Sequence, residues 1–134
     1  MSLDDALQRA MTAVPDCVAA GFVDLSSGMV LSIKTVDSHP SEVFDFLAAA
    51  TTDLFQGPNV SAIESIFKKA RGLPDNTDHH YFQEIIVNSE NLIHVFIRGK
   101  KQQQVICYVC RKGANLGMVL TKARAGLPSV EAAF

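Results

Sequence analysis

The stretch LIHVFIRGKKQQQVICYVCR, residues 92–111, decides the fold class of this chain. Its two apolar runs, 92–98 and 104–111, are rich in β-branched and aromatic side chains, which favour strands. The polar segment between them, residues 99–103, has the length and composition of a turn. These residues therefore predict two neighbouring antiparallel strands joined as a hairpin.

The elements on either side of this hairpin extend the same pattern. Residues 80–87 form a third apolar run, and the turn at 88–91 makes this strand antiparallel to the next one. Downstream, a helical stripe of apolar residues predicts a final helix after Asn115. The Gly-Leu-Pro segment at 126–128 is expected to end that helix, and the tail beyond it has no assignment.

The first third of the chain contains a second hairpin. Residues 2–14 have helical spacing and are predicted as a helix with Ser2 as its N-cap. Residues 17–25 and 29–35 are predicted strands, joined near Gly28, which can adopt a positive φ angle.

Two helical segments are predicted between the two groups of strands. The first spans residues 41–56, and its apolar residues cover about 200° of the helical wheel, against the ~100° of an ordinary surface helix. The second is capped by Asn59 or Ser61, and Ser61 and Glu64 have the spacing of a capping box. A loop is expected at 72–78. The order α-β-β-α-β-β-β-α predicts an α/β (α+β) fold, with helices on both faces of a five-stranded antiparallel sheet.

Composition and charge exclude several classes of function. Hydrophobic residues make up 48% of the 134 residues, and the net charge is -2 with no long basic run. Nucleic-acid binding through phosphate neutralisation is therefore not expected. The odd number of cysteines, three, argues against a disulfide framework. With no signal peptide and no apolar run near the ~20 residues that cross a bilayer, we expect a cytoplasmic protein without membrane insertion.

Three motifs carry a family resemblance. Residues 23–31, VDLSSGMVL, have an acidic residue and a glycine that bracket a turn. Residues 92–96 and 105–109 supply two central strands. Residues 114–120, ANLGMVL, begin the last helix with Asn-Leu-Gly, where Gly117 is expected to allow close packing against a strand. Together these motifs resemble the roadblock/LC7 family, whose domains have a profilin-like fold.

The resemblance implies a protein that binds other proteins and is not an enzyme. Roadblock/LC7 domains form homodimers or heterodimers, regulate or scaffold small Ras-like GTPases and motor complexes, and have no catalytic residues. It also implies one domain over residues 1–134. The family passes almost directly from its second helix to its third strand, so residues 57–78, a helix and a loop, are expected to be an insertion.

Several cysteine, histidine and acidic residues are candidates for metal, redox or catalytic sites. Cys107 and Cys110 have metal or redox spacing, but residues three apart in a strand face opposite ways, so both are predicted to be buried packing residues. The segment 75–80, DNTDHH, has too few ligands for a closed zinc site and is predicted to be a solvated loop. His94 is predicted to be packed and hydrogen-bonded, and no cysteine is marked as a nucleophile. An anion site at 111–113 is a weaker alternative. We expect no cofactor, no metal and no catalytic residue.

The wide stripe of helix 41–56 predicts a homodimer, because a subunit alone would leave part of that stripe in water. In the roadblock/LC7 arrangement, subunits pair through the third strand and the second helix, which also covers a sheet edge. The predicted interface residues are Phe44, Phe46, Leu54, Phe55, Phe82, Ile85, Ile86 and Val87.

The polar rim of residues 42–71 is predicted to bind the protein partner, a small GTPase or another protein. The predicted rim residues are Glu42, Asp45, Asp53, Lys68, Lys69 and Arg71. The alternative function is a small-ligand sensor with a profilin-like sheet. Such a sensor needs a pocket with convergent polar groups, and His94 and Ser32 are the inward polar candidates on the strands.

Overall fold

The computed structural model describes residues 2–36, 41–72, 80–101 and 103–134, with the side chains of residues 41–46 outside this description. The elements, in chain order, are α1 (Leu3–Ala13), β1 (Cys17–Asp24), β2 (Met29–Thr35), α2 (Ser41–Gln56), α3 (Pro58–Ala70), β3 (Glu84–Asn88), β4 (Leu92–Arg98), β5 (Gln104–Arg111) and α4 (Leu116–Ala132). Among the described residues, no helix combines the length and apolarity needed to cross a bilayer.

The five strands form one antiparallel sheet in the order β2-β1-β5-β4-β3. Strands from the two halves of the chain, β1 and β5, are neighbours at its centre. Helices α1 and α4 pack together on one face, over a core that includes Leu7, Phe22, Tyr108 and Val119. Helix α2 contacts β1 and β2 from the opposite face. These findings confirm the predicted α+β class, the five-stranded sheet and the helices on both faces.

The first and last helices, α1 and α4, each begin with a side-chain N-cap. Ser2 Oγ accepts a hydrogen bond from the Asp5 N–H at 3.1 Å, and Asn115 Oδ1 accepts one from the Met118 N–H at 3.1 Å. Each cap satisfies a backbone donor that the first helical turn leaves without an intrahelical partner.

The prediction that α4 ends at residues 126–128 is wrong, because the helix continues through Pro128 to Ala132. Proline lacks the N–H of the helical ladder, but Leu127 and Val130 on either side of it are buried in the core. Their burial outweighs the lost hydrogen bond. Gly117 was predicted to pack closely against a strand, but it is exposed. The glycine of α4 that allows close packing is Gly126, where an added Cβ would lie 3.2 Å from the Ala10 Cβ of α1.

The capping box predicted for α3 is not formed. The helix begins at Pro58, which suits the first helical position, and its N-cap, Gly57, has no side chain that could accept a hydrogen bond. Strand β3 starts at Glu84 and not at residue 80. The preceding residues are instead bound to Glu64, as described next.

Candidate functional site

Helix α3 exposes large apolar residues to solvent and buries two of its three charged residues. Ile66 is 65% exposed and Phe67 49%, whereas Glu64 and Lys68 are only 3% and 5% exposed. Ile63, one turn before Phe67, is exposed as well. A helix that packs on its own domain normally has the opposite arrangement. We call Ile63, Ile66 and Phe67 the apolar stripe of α3.

Glu64 sets this orientation because it binds the segment that precedes β3. One carboxylate oxygen accepts a hydrogen bond from the Tyr81 backbone N–H at 2.6 Å, and the other lies 3.1 Å from His80 Nδ1. The Tyr81 ring packs edge-on against Phe67, with ring centroids 5.6 Å apart. These contacts hold the charged face of α3 against residues 80–81.

Arg98, at the end of β4, extends this buried polar cluster. Its guanidinium donates hydrogen bonds to the carbonyl oxygens of Phe82 at 2.8 Å and Phe55 at 2.9 Å. Burial lowers the pKa of Arg98, and the charge of Glu64 acts in the opposite direction. The cluster therefore ties the end of α2, helix α3 and the segment before β3 to β4.

The apolar residues of α2 divide between an inner face and an exposed flank. Phe55 is completely buried, and its ring meets Phe96 edge-on at a centroid distance of 6.4 Å. Leu47 and Leu54 are exposed beside this inner face. Phe55 is therefore part of the core of the chain, whereas the Leu54 side chain is exposed to solvent.

Strand β3 is at one edge of the sheet. The Arg98 N–H donates to the Gln83 carbonyl at 2.7 Å, and the Ser89 N–H donates to a β4 carbonyl at 2.9 Å. Hydrogen bonds alternate along an antiparallel pair, so the odd-numbered residues of this strand bond to β4. Ile86 therefore directs its N–H and C=O towards the open edge.

The remaining predicted interface residues differ in accessibility. Val87 is exposed like Ile86. Phe82 and Ile85 are half-buried and pack on the smaller core cluster of Leu25, Phe55, Phe96 and Val105. The predicted Phe44 and Phe46 have side chains outside the described residues. The structure thus places Leu54, Ile86 and Val87 on the accessible surface.

The predicted rim is only partly exposed. Asp53, Lys69 and Arg71 are exposed, but Lys68 is buried, so its prediction as a rim residue is wrong. Lys68 follows Glu64 by one turn and therefore shares its inward face. Glu42 and Asp45 have side chains outside the described residues, as do Asp75, Asp78 and His79 of the polar segment predicted to be a loop.

A cavity of about 440 Å³ lies between α2 and the sheet. Its lining is mainly apolar and includes Leu47, Ala48 and Val109, with His94 as a polar residue. Burial lowers the pKa of His94, and its Nε2 lies 3.3 Å from Ser89 Oγ. His94 is therefore a packed, hydrogen-bonded histidine, as predicted.

Cys107 and Cys110 face opposite sides of the sheet, as predicted from their spacing. Cys110 belongs to the core under α1 and α4, whereas Cys107 lines the cavity beside α2. Burial raises the pKa of Cys107 to about 12, which makes this thiol a poor nucleophile near neutral pH. In the described part of the chain, no cluster of three or more His, Cys, Asp or Glu side chains is placed to hold a metal ion.

Comparison with known proteins identifies the fold. No family model matches the chain, and no curated protein has significant sequence similarity to it. Among solved structures, MglB of Myxococcus xanthus has a TM-score of 0.69 at 14% identity, covering 97% of this chain and 92% of that chain. A roadblock/LC7 domain from Streptomyces avermitilis scores 0.68 at 14% identity, with 98% and 97% covered. Profilin II of Acanthamoeba castellanii scores 0.61 at 8% identity, with 99% and 100% covered. The chain therefore has the roadblock/LC7 fold, which confirms the resemblance drawn from its motifs.

Proposed function

We propose that this chain is a non-catalytic, dimeric regulatory module that binds protein partners, with a small Ras-like GTPase as the partner class. The observation that carries the proposal is the orientation of α3, which exposes Ile66 and Phe67 while it buries Glu64 and Lys68. Burying charged groups and exposing large apolar ones both cost free energy. A protein bound over the apolar stripe would remove these apolar side chains from water and so offset the cost of exposing them.

The position of α3 in the sequence supports its role in partner choice. Helix α3 lies within residues 57–78, the segment that we expect from the sequence to be an insertion relative to the family. Asp53, Lys69 and Arg71 are exposed at or near this helix. We propose that the apolar stripe supplies affinity and that these charges steer the encounter, because rim charges act mainly on association rates. Glu42 and Asp45 remain part of the proposed rim.

Homodimerisation is proposed through β3 and the exposed flank of α2. The support is the open edge at Ile86, the exposed Val87 and the exposed Leu47 and Leu54. An apolar sheet edge is an aggregation hazard unless it is covered, and a two-fold pairing of identical strands covers it in both subunits. Sedimentation equilibrium at micromolar concentration should therefore give the mass of a dimer.

Replacing Ile66 with serine is expected to weaken binding of a small Ras-like GTPase from the same organism by about tenfold. Ile66 is exposed, so the change removes a contact with the partner and leaves the core intact. The matched control is Met29→Ser, since Met29 is 62% exposed and belongs to β2, at the sheet edge opposite β3. Affinity would be measured by calorimetry with the GTPase loaded separately with GDP and with a non-hydrolysable GTP analogue.

Two outcomes would contradict this assignment. If the Met29 and Ile66 variants weaken binding equally, the apolar stripe is not the partner surface. If the unmodified chain binds the GTPase in neither nucleotide state, the partner class is wrong.

The 440 Å³ cavity favours a second candidate, a sensor of a small apolar ligand. Ligand sites are often apolar cavities of about 300–1,000 Å³ with a few polar groups, and His94 and Thr51 are such groups here. Native mass spectrometry separates the two functions. A small molecule retained at one per chain would support the sensor, whereas ligand-free chains that still bind the GTPase would support the regulatory module.

A further inference from the structure

Two cysteines from distant parts of the sequence face each other across the sheet. Cys17, the first residue of β1, is directly opposite Cys110 of β5 in the strand register. Next to this pair, the Arg111 N–H donates to the Asp16 carbonyl at 3.0 Å. The register shifts between Cys17 and Ala19, so Cys17 and Cys110 are the last residues paired before this irregularity. Residues paired across antiparallel strands have Cα atoms about 4.5–5.5 Å apart.

This placement suits a disulfide bond. Disulfides join residues whose Cα atoms are about 4.4–6.8 Å apart. Cys110 belongs to the core cluster under α1 and α4, and Cys17 packs against the same cluster, with its thiol donating a hydrogen bond to the Ala19 carbonyl at 3.1 Å. Cys17 is half-buried and Cys110 is completely buried. An oxidant in solution therefore reaches Cys17 first, with Cys110 in position behind it.

The two thiols also differ in acidity. The neighbouring Cys110 thiol lowers the pKa of Cys17, and burial opposes that effect. The neighbouring Cys17 thiol, together with burial, raises the pKa of Cys110. The thiolate is the reactive form of cysteine, so Cys17 is the thiol that attacks and Cys110 is the thiol that resolves.

We propose that Cys17 and Cys110 form an oxidation site at which a hydroperoxide converts the two thiols into an intramolecular disulfide. The Cys17 sulfur attacks a peroxide oxygen, the O–O bond breaks, and the leaving oxygen takes up the Cys17 proton as water or an alcohol. The Cys110 sulfur then attacks the sulfenic sulfur of Cys17. The S–S bond forms while the sulfenic hydroxyl leaves with the Cys110 proton as water.

The bond would tie the start of β1 to the end of β5, beneath α1 and α4. It would close a loop of roughly 90 residues, and loops of that length restrict the unfolded chain strongly. The apolar stripe of α3 and the β3 edge involve neither cysteine. Oxidation is therefore expected to stabilise the domain without blocking the proposed partner surface, and its test is independent of that proposal.

The test treats the full chain with equimolar hydrogen peroxide. We expect a mass loss of about 2 Da that dithiothreitol reverses, and a rise of about 10 °C in the unfolding midpoint. The control Cys107→Ser keeps both effects, because Cys107 faces the other side of the sheet. Cys17→Ser should show neither the mass loss nor the rise in the unfolding midpoint. Because Cys17 is only half-buried, this substitution is expected to leave the core packing intact.

Peptide mapping without reductant decides the linkage, and the Cys107→Ser background removes ambiguity within the peptide that holds Cys107 and Cys110. A Cys17–Cys110 link in that background supports the proposal. A link between two chains, a link to Cys107 in the unmodified protein, or oxidation of Cys17 to a sulfinic acid without a disulfide would overturn it.

Discussion

Replacing Ile86 with proline is expected to separate the proposed dimer into folded monomers. Ile86 points its N–H away from β4, to judge from the hydrogen bonds at Gln83 and Ser89. Proline removes that donor and places its ring at the open edge, but it leaves the β3–β4 ladder intact. Each dimer loses the donor twice because the pairing is two-fold. The dissociation constant should rise on the order of 100-fold.

Sedimentation equilibrium measures this effect, and circular dichroism checks that the variant is folded. The matched control is Ile86→Val, which keeps the N–H and the preference for strands, and it should remain a dimer. A folded Ile86→Pro variant with unchanged dimer mass would show that the subunits do not pair through β3. The α3 surface would then have to be considered as the dimer contact.

Replacing Glu64 with alanine is expected to lower the free energy of unfolding by about 3 kcal/mol. The Glu64 carboxylate accepts the hydrogen bond of the Tyr81 N–H and bonds to His80. Its charge also opposes the effect of burial on Arg98. The alanine variant leaves a buried donor without its acceptor and a buried cation without this negative charge. Urea unfolding followed by circular dichroism gives the free energy.

Glu64→Gln separates the two contributions, because glutamine keeps an acceptor oxygen but has no charge. The decrease in the free energy of unfolding caused by Glu64→Gln should be smaller than the decrease caused by Glu64→Ala. Glu90→Ala is the control for removing a carboxylate from the surface, since Glu90 is exposed, and it should leave the free energy unchanged. A loss from Glu64→Ala no larger than that from Glu90→Ala would mean that the polar cluster does not hold α3 in place.

Local sequence patterns were sufficient to predict the bounds of most of the strands. The bounds predicted for β2, β4 and β5 agree with the structure, because alternating apolar residues and a nearby turn determine a hairpin within a few residues of chain. The Asn-Leu-Gly start of α4 was equally readable, since Asn115 caps a helix that begins at the next residue. The antiparallel sheet followed from these local elements, whereas the roadblock/LC7 fold was an expectation drawn from the family resemblance of three motifs.

Features that depend on contacts between residues far apart in the sequence could not be predicted from local patterns. The end of α4 was misplaced because Pro128 is tolerated only where Leu127 and Val130 find a core to fill. The start of β3 was misplaced because His80 and Tyr81 bind a carboxylate on α3. In both cases tertiary packing outweighed a local preference of the chain.

The sequence by itself determined the fold class, the hairpins and the opposite facing of Cys107 and Cys110, because each depends on the period of a helix or a strand. The tertiary structure alone decided which side of α3 faces outward and which cysteine lies opposite Cys110. The α3 pattern permits either orientation, and the contact of Glu64 with Tyr81 selects the one that exposes Ile66. The pairing of Cys17 with Cys110 depends on the register between β1 and β5, which brings together residues from opposite ends of the chain.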